Sequence, residues 1–213
     1  MKSKIFLTIA RWFFLMLLLP LAACTIDVPV TGIEQSGEGG AIGPQEIEGA
    51  TEIVKFDPAL IPLSGAAVEG TCAASTLVTG TYRCELAAGG AVEPCFAVGD
   101  QRLLCGPDPV AQSYATLVNA GGGLPSIVPP SPDRAVEFFI ELENDMTCAL
   151  RIGPEPVILA GVEAKYDCSE PYTFVMGFEK SAPAWEAAVY TLDPDTSESS
   201  GKVPVNVRRV WIP

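Results

Sequence analysis

Along residues 134–192 apolar and polar side chains alternate with a period of two, and no other feature of the chain constrains its fold as tightly. Val136, Phe138, Ile140 and Leu142 fall on one side of an extended segment and Glu137 and Glu141 on the other, with Phe139 the one apolar residue out of phase. Met146, Cys148, Leu150 and Ile152 share a face in the next segment. Val162, Ala164, Tyr166 and Cys168 share one in the segment after, opposite Glu163, Lys165 and Asp167, and Tyr172, Phe174, Met176 and Phe178 repeat the pattern. Side chains of an extended chain point alternately to opposite faces, so this period predicts strands with one buried face rather than helices. Two last strands are expected over residues 185–192 and 203–211, with a bulge where Arg208-Arg209 breaks the alternation. Residues 52–56, 81–84, 102–105 and 112–119 read as further strand pieces, with Gly89-Gly90 and Glu93-Pro94 as turn signals between them. Residues 59–68 offer at most a short helix, because Pro62 and Gly65 oppose a longer one. Residues 121–132, glycines followed by prolines, must run as loop or polyproline II structure. Short strands punctuated by Gly and Pro predict an all-β chain, an antiparallel β-sandwich or small barrel.

Ahead of this region stand Lys2, Lys4 and Arg11, no acidic residue, and an apolar run from Trp12 to Ala23 broken only by Pro20. That is the anatomy of a signal peptide, and the run is shorter than the roughly 20 apolar residues a spanning helix needs. It ends on Leu21-Ala22-Ala23-Cys24, which resembles the lipobox of bacterial lipoproteins: an aliphatic residue, two small ones, then the cysteine that becomes the first residue. The resemblance implies that Cys24 carries a diacylglycerol thioether and commonly an N-acyl chain, which together hold a protein to a bilayer where one chain would not. The expected organisation is a signal peptide over residues 1–23, lipidated Cys24 and a tether over 24–50, and a β domain over 51–213. The tether holds Asp27, Glu34, Glu38, Glu46 and Glu48, no basic residue and several glycines, the composition of a flexible spacer. The expected location is the bacterial cell envelope, outside the cytoplasm.

Export decides what the other cysteines can do. Of the seven cysteines, setting Cys24 aside leaves Cys72, Cys84, Cys95, Cys105, Cys148 and Cys168, and an even number in an oxidising compartment reads as a disulfide framework. The sequence does not choose among the many connectivities open to six cysteines. Nearest-neighbour pairing, Cys72 with Cys84, Cys95 with Cys105 and Cys148 with Cys168, is the simplest. Cys148 and Cys168 both lie on the apolar side of their segments, as a bond between neighbouring strands requires. No two cysteines stand in a C-x-x-C pair, so a metal-thiolate site is the poorer reading, and neither metal nor cofactor is expected.

The chain contains no histidine. That removes Ser-His-Asp and Cys-His nucleophile systems, histidine proton shuttles and the commonest zinc ligand together. The formal charge is −13, and loss of the three leader cations makes it −16, which excludes nucleic acid as a partner of the surface as a whole. Three groups of residues carry possible chemistry. Glu137 and Glu141 share a face, and a carboxylate pair can hydrolyse a glycosidic bond without histidine, but alternating charges more commonly mark the wet side of a strand. Asp193, Asp195, Ser197 and Glu198 place oxygens at intervals in one loop, as calcium sites do, yet lack the central glycine and terminal glutamate of an EF-hand. Trp185, Trp211 and Tyr190, with Tyr172, are candidates for a platform that stacks on sugar or peptide; as aromatics on strands they are more commonly core.

Cysteine spacing also invites a comparison. Cys72, Tyr82-Arg83-Cys84, Glu93-Pro94-Cys95-Phe96, Cys105 followed by Asp108-Pro109, Cys148, Tyr166-Asp167-Cys168-Ser169 and the closing Val207 to Trp211 resemble a family of exported bacterial cysteine-rich β domains. The family pattern has tryptophan, aspartate and glycine where this chain has Tyr82, Glu93 and Asp167. The likeness covers about residues 70–211 and implies the domain and its disulfides; it supplies no activity. Together these readings lead to a lipid-anchored extracytoplasmic protein, a non-enzymatic binding or envelope-structural domain. Its expected partners are the bilayer, through acylated Cys24, and a protein or glycan. The alternatives are a carboxylate-based extracellular hydrolase and a small protease inhibitor presenting the loop between Cys95 and Cys105.

Overall fold

Strands account for nearly all the regular structure among the described residues. The computed structural model describes residues 49–131, 134–153 and 155–213; the signal peptide, the lipobox with Cys24 and almost all of the tether lie outside the described residues. The first strand, β1 (Glu52–Lys55), leads through a single 3-10 turn at Pro58–Leu60 into a five-stranded meander. Its strands are β2 (Val68–Ala74), β3 (Tyr82–Leu86), β4 (Ala91–Ala97), β5 (Arg102–Asp108) and β6 (Ser113–Ala120), each antiparallel to the last. In a meander of five, the first and last strands run the same way, so the only closure available is parallel. Val68 to Gly70 of β2 pair in that sense with Val118 to Ala120 of β6 and close a barrel. Gly70 is required at this seam: a Cβ there would lie 2.8 Å from Val118 Cγ1 and 3.0 Å from the Glu85 carbonyl oxygen.

A second barrel follows. It is built from β7 (Phe139–Leu142), β8 (Thr147–Leu150), β11 (Tyr166–Cys168), β12 (Thr173–Glu179), β13 (Trp185–Thr191) and β14 (Val203–Ile212), antiparallel throughout. Six strands bring the last beside the first in opposite sense, and β14 pairs antiparallel with β7, joining the ends of the meander into a ring. Between β8 and β11 a two-stranded hairpin, β9 (Ile158–Leu159) and β10 (Val162–Glu163), is inserted. Strand β1 runs parallel to β14 over Arg209 to Ile212.

The alternation expected from sequence is realised in β8, β13 and β14, and the register shift between Val207 and Arg209 falls where Arg208-Arg209 interrupts it. In β12 the face expected to be shared by Tyr172, Phe174, Met176 and Phe178 is divided, because Val175 fills the barrel, Phe174 and Met176 lie outside it, and a register shift after Val175 turns Phe178 inward. Two other expectations change. The strand expected over residues 162–168 is broken, because Ala164 and Lys165 lie between β10 and β11 and carry the chain from the hairpin back to the barrel. Glu93-Pro94 is not a turn but lies inside β4, at a register shift against β3, the kind of irregularity where a strand tolerates a residue without an N–H.

The three disulfides pair nearest neighbours: Cys72–Cys84, Cys95–Cys105 and Cys148–Cys168. Each joins directly opposite residues on adjacent antiparallel strands, β2 to β3, β4 to β5, and β8 to β11. Their sulfurs are core material. In the first barrel Cys84, Cys95 and Cys105 are fully buried with Leu103 and Val118, so four half-cystines with a few aliphatics fill an interior five strands wide.

The barrels meet through an aromatic seam. Phe56, Phe96 and Phe138 form a mutual triad with centroids 4.6 to 5.4 Å apart, beside Leu104, Leu117 and the edge-to-face pair Phe139–Trp211. Ile140 and Leu142 of β7 point into the second barrel while Phe139 points out into this seam. Both faces of the strand are therefore buried, which explains the apolar residue out of phase. Removing the fully buried Phe138 ring leaves a cavity at the centre of the seam, so Phe138→Ala should cost about 3 to 5 kcal/mol, read as a lower midpoint in guanidinium unfolding.

Candidate functional site

Three buried carboxylates stand out in a chain this acidic, since a buried charge is costly unless paired. Glu93 on β4 accepts from Ser75 Oγ at 2.7 Å and from Arg83 Nη1 at 3.1 Å. Glu137, just ahead of β7, holds Lys180 Nζ at 2.6 Å, and that ammonium sits 4.8 Å above the Trp185 ring. Glu141 is gripped on both oxygens, by Arg208 Nη1 at 3.0 Å and Arg209 Nη1 at 3.3 Å, and the two arginines reach on to Asp145 and Glu52. Glu137 and Glu141, read from sequence as a wet face, are thus nearly buried and neutralised by separate cations. They form no pair facing a common space for a substrate.

Tyr166, on β11, belongs to the same corner. Its hydroxyl donates to the Glu137 carbonyl at 2.9 Å, and its ring packs against Phe178, which stacks in turn on Trp185. Burial first, and the charge of Glu137 second, push the Tyr166 phenol far above its ordinary pKa.

The aromatic residues expected to form a stacking platform are distributed over three separate clusters. Trp211 is buried in the seam between the barrels, under Arg209. Trp185 packs on the second barrel's core beneath Lys180. Tyr190 lies on the outer face of β13, with Met176 and Ala188, where the β9–β10 hairpin folds over the sheet. Beside that hairpin a groove of about 470 Å³ is lined by Tyr190, Phe178, Met176 and Val162 and edged by Glu186 and Lys202. Tyr172, exposed just ahead of β12, is in none of the three clusters. Tyr190 lines that groove, and Trp185, Trp211 and Tyr172 do not.

The loop of Asp193 to Glu198 is a hairpin connection whose first carboxylate is already used. Asp193 Oδ1 accepts from the N–H groups of Thr196 at 3.0 Å and Asp195 at 2.8 Å, and those bonds hold its pKa below the usual carboxylate value. In the first barrel the sulfurs of Cys84, Cys95 and Cys105 lie within 4.8 Å of one another, but each is bonded in a disulfide and lacks the thiolate charge that holds a metal. Between Cys95 and Cys105, Phe96, Leu103 and Leu104 are buried in the barrel, while residues 99–101 form the exposed turn that joins β4 to β5.

One concavity lies between the two barrels. It measures about 540 Å³ and is lined by Arg83, Glu85, Ala91, Arg151, Gly153 and Glu163. Arg151 bonds Asp167 and the Glu155 carbonyl and lies 5.9 Å over the Phe174 ring, while its Nε is the one buried side-chain polar atom without a partner among the described residues. Sequence reasoning passed over Arg83 and Arg151; each sits next to or near a cysteine but carries no spacing that would distinguish it.

Two docked, disulfide-bonded small barrels, with their buried carboxylates neutralised, define the class of this protein: a rigid β scaffold with clefts at its joints. No known family model, curated protein or solved structure matches the chain.

The Tyr166 corner generates a pH prediction. A phenol whose pKa is raised on folding stabilises the fold below its unfolded value of about 10 and loses that contribution as pH rises above it. Urea unfolding of the wild type should therefore weaken above about pH 10, and Tyr166→Phe, which cannot ionise, should show a shallower decline. At neutral pH the same variant should lose about 0.5 to 1.5 kcal/mol with its hydrogen bond.

Proposed function

We propose that this protein is a lipid-anchored lipoprotein of a bacterial cell envelope, exposed outside the cytoplasm, whose double barrel serves as a non-enzymatic binding or envelope-structural domain. The observation that carries the reading is the disulfide pattern: all six cysteines after Cys24 are paired across adjacent strands, a framework that persists where thiols are oxidised. Export through the leader, and lipidation at Cys24, supply that compartment and a hold on the bilayer. The binding role is supported by the scaffold itself, since rigid β frames commonly present their clefts and connecting segments to partners. A protein or a glycan is the partner class this reading takes, with the inter-barrel cleft and the Tyr190 groove as the places of contact.

The anchor is tested by substitution. In cells, wild-type protein should sediment with membranes and carry acyl chains on its first residue by mass spectrometry, whereas Cys24→Ser should lose the acyl mass and leave the membrane fraction. A Cys24→Ser variant that partitions as the wild type does, or a wild-type chain with an intact unacylated amino terminus, would refute the reading.

A further inference from the structure

The parallel seam of the first barrel is short. Strand β2 is bonded to β3 from Gly70 to Ala74, but to β6 only from Val68 to Gly70, with a last bond from Gly121 N–H to the Gly70 carbonyl. The phase of the ladder says which groups of β2 this leaves open. Ala87 N–H donates to the Glu69 carbonyl and Ser75 N–H to the Thr81 carbonyl, each at 2.9 Å, so the odd-numbered residues of β2 are bonded toward β3. In an antiparallel ladder the alternate residues turn their main-chain groups the other way. The N–H and C=O of Cys72 and Ala74 therefore point away from β3, and among the described residues they have no hydrogen-bond partner.

Beyond Gly121 the chain does not pair with them. It runs on beside β2 at a distance, accepting from the Tyr82 hydroxyl at the Pro125 carbonyl and packing Pro130 against Gly80. Between strand and strap lies a slot of about 490 Å³, walled by Thr71, Cys72 and Ala73 on one side and by Gly122, Gly123 and Leu124 on the other. Open strand edges are normally blunted by charge, by bulges or by a covering segment; here the cover stands off and leaves room.

We propose that this slot takes an extended segment of a partner protein, which adds to β2 as a strand and bonds the main chain of Cys72 and Ala74. The chemistry of the occupant follows from the two sides of the slot. Cys72 and Leu124 pack on the barrel core and present an apolar inner side. The outer side carries the small residues Thr71 and Ala73, with the Glu69 carboxylate at the closed end beside Gly121, on a chain of formal charge −13. A peptide alternating apolar and cationic residues matches both sides, and strand addition supplies affinity through the main chain and selectivity through alternate side chains. This inference rests on the binding reading above and gives it a partner class.

The test uses the full-length protein in detergent and a labelled peptide of alternating valine and lysine, followed by fluorescence anisotropy. Saturable binding is expected, and the same peptide N-methylated at alternate residues, equal in charge but unable to pair on one edge, should bind at least about tenfold more weakly. Ala74→Pro removes one N–H that faces the slot and none that faces β3, and should weaken binding to a similar extent. Gly122→Leu, at a position where an added Cβ meets nothing within 4 Å, fills the slot without altering the strand and should do the same, with an unchanged circular dichroism spectrum. Equal binding by wild type and both variants, or by both peptides, overturns the slot and leaves a binding domain that works elsewhere. No saturable binding of either peptide also overturns it, while membrane partition of Cys24→Ser still decides the anchor.

Discussion

Strand β14 makes main-chain bonds to three other strands, and two of those pairings, with β13 and β7, hold the second barrel together. Its first half pairs with β13; its second half pairs with β7 on one side and with β1 on the other. The pairing with β7 converts an open sheet into a ring and so removes two edges that would otherwise carry unpaired donors and acceptors. The same strand sends Val207 and Val210 into the barrel, Trp211 into the seam with the first barrel, and Arg208 and Arg209 to Glu141. The register shift after Val207 lets one strand serve these directions, because it re-aims the side chains on either side of it.

A small barrel has little interior, and this protein fills its two interiors differently. The first packs two disulfides among aliphatic side chains, so covalent bonds take the place of bulk. The second relies on a larger set of aliphatics with Tyr166 and a single bridge. Cross-strand bonds also restrict the unfolded chain, an effect on the order of 2 to 4 kcal/mol apiece. The acidity that keeps the surface soluble is countered at the joints, where three carboxylates are buried only because Arg83, Lys180 and the Arg208–Arg209 pair meet them. These ion pairs are better read as satisfying buried charge than as adding stability.

Much of the architecture was legible in the sequence where alternation was strong. The strands containing Cys148, Met176, Val189 and Val207 could be read directly, and so could the simplest pairing of the cysteines. Strand β2 was missed because Val-Glu-Gly-Thr-Cys-Ala-Ala alternates little and is mostly exposed, and β4 because Pro94 reads as a breaker. The candidate sites were less legible. Glu137 and Glu141 look like solvent-facing charges, yet their cations come from Lys180 and Arg208, 43 and 67 residues away. Trp185, Trp211 and Tyr190 look alike as strand aromatics, and only their packing separates a core ring from one that lines a groove.

What the sequence determined by itself was local: which strongly alternating segments extend, and which cysteines stand close enough along the chain to bridge neighbouring strands. These follow from the two-residue period of a strand and need no knowledge of the rest. The tertiary structure alone decided that the strands close into two rings rather than stack as sheets, that both faces of β7 are buried, and that an edge of β2 is left open beside the strap from Gly121. Closure and docking rest on contacts between residues far apart in the chain, where the outcome is set by packing and main-chain pairing in three dimensions, and no local pattern records it.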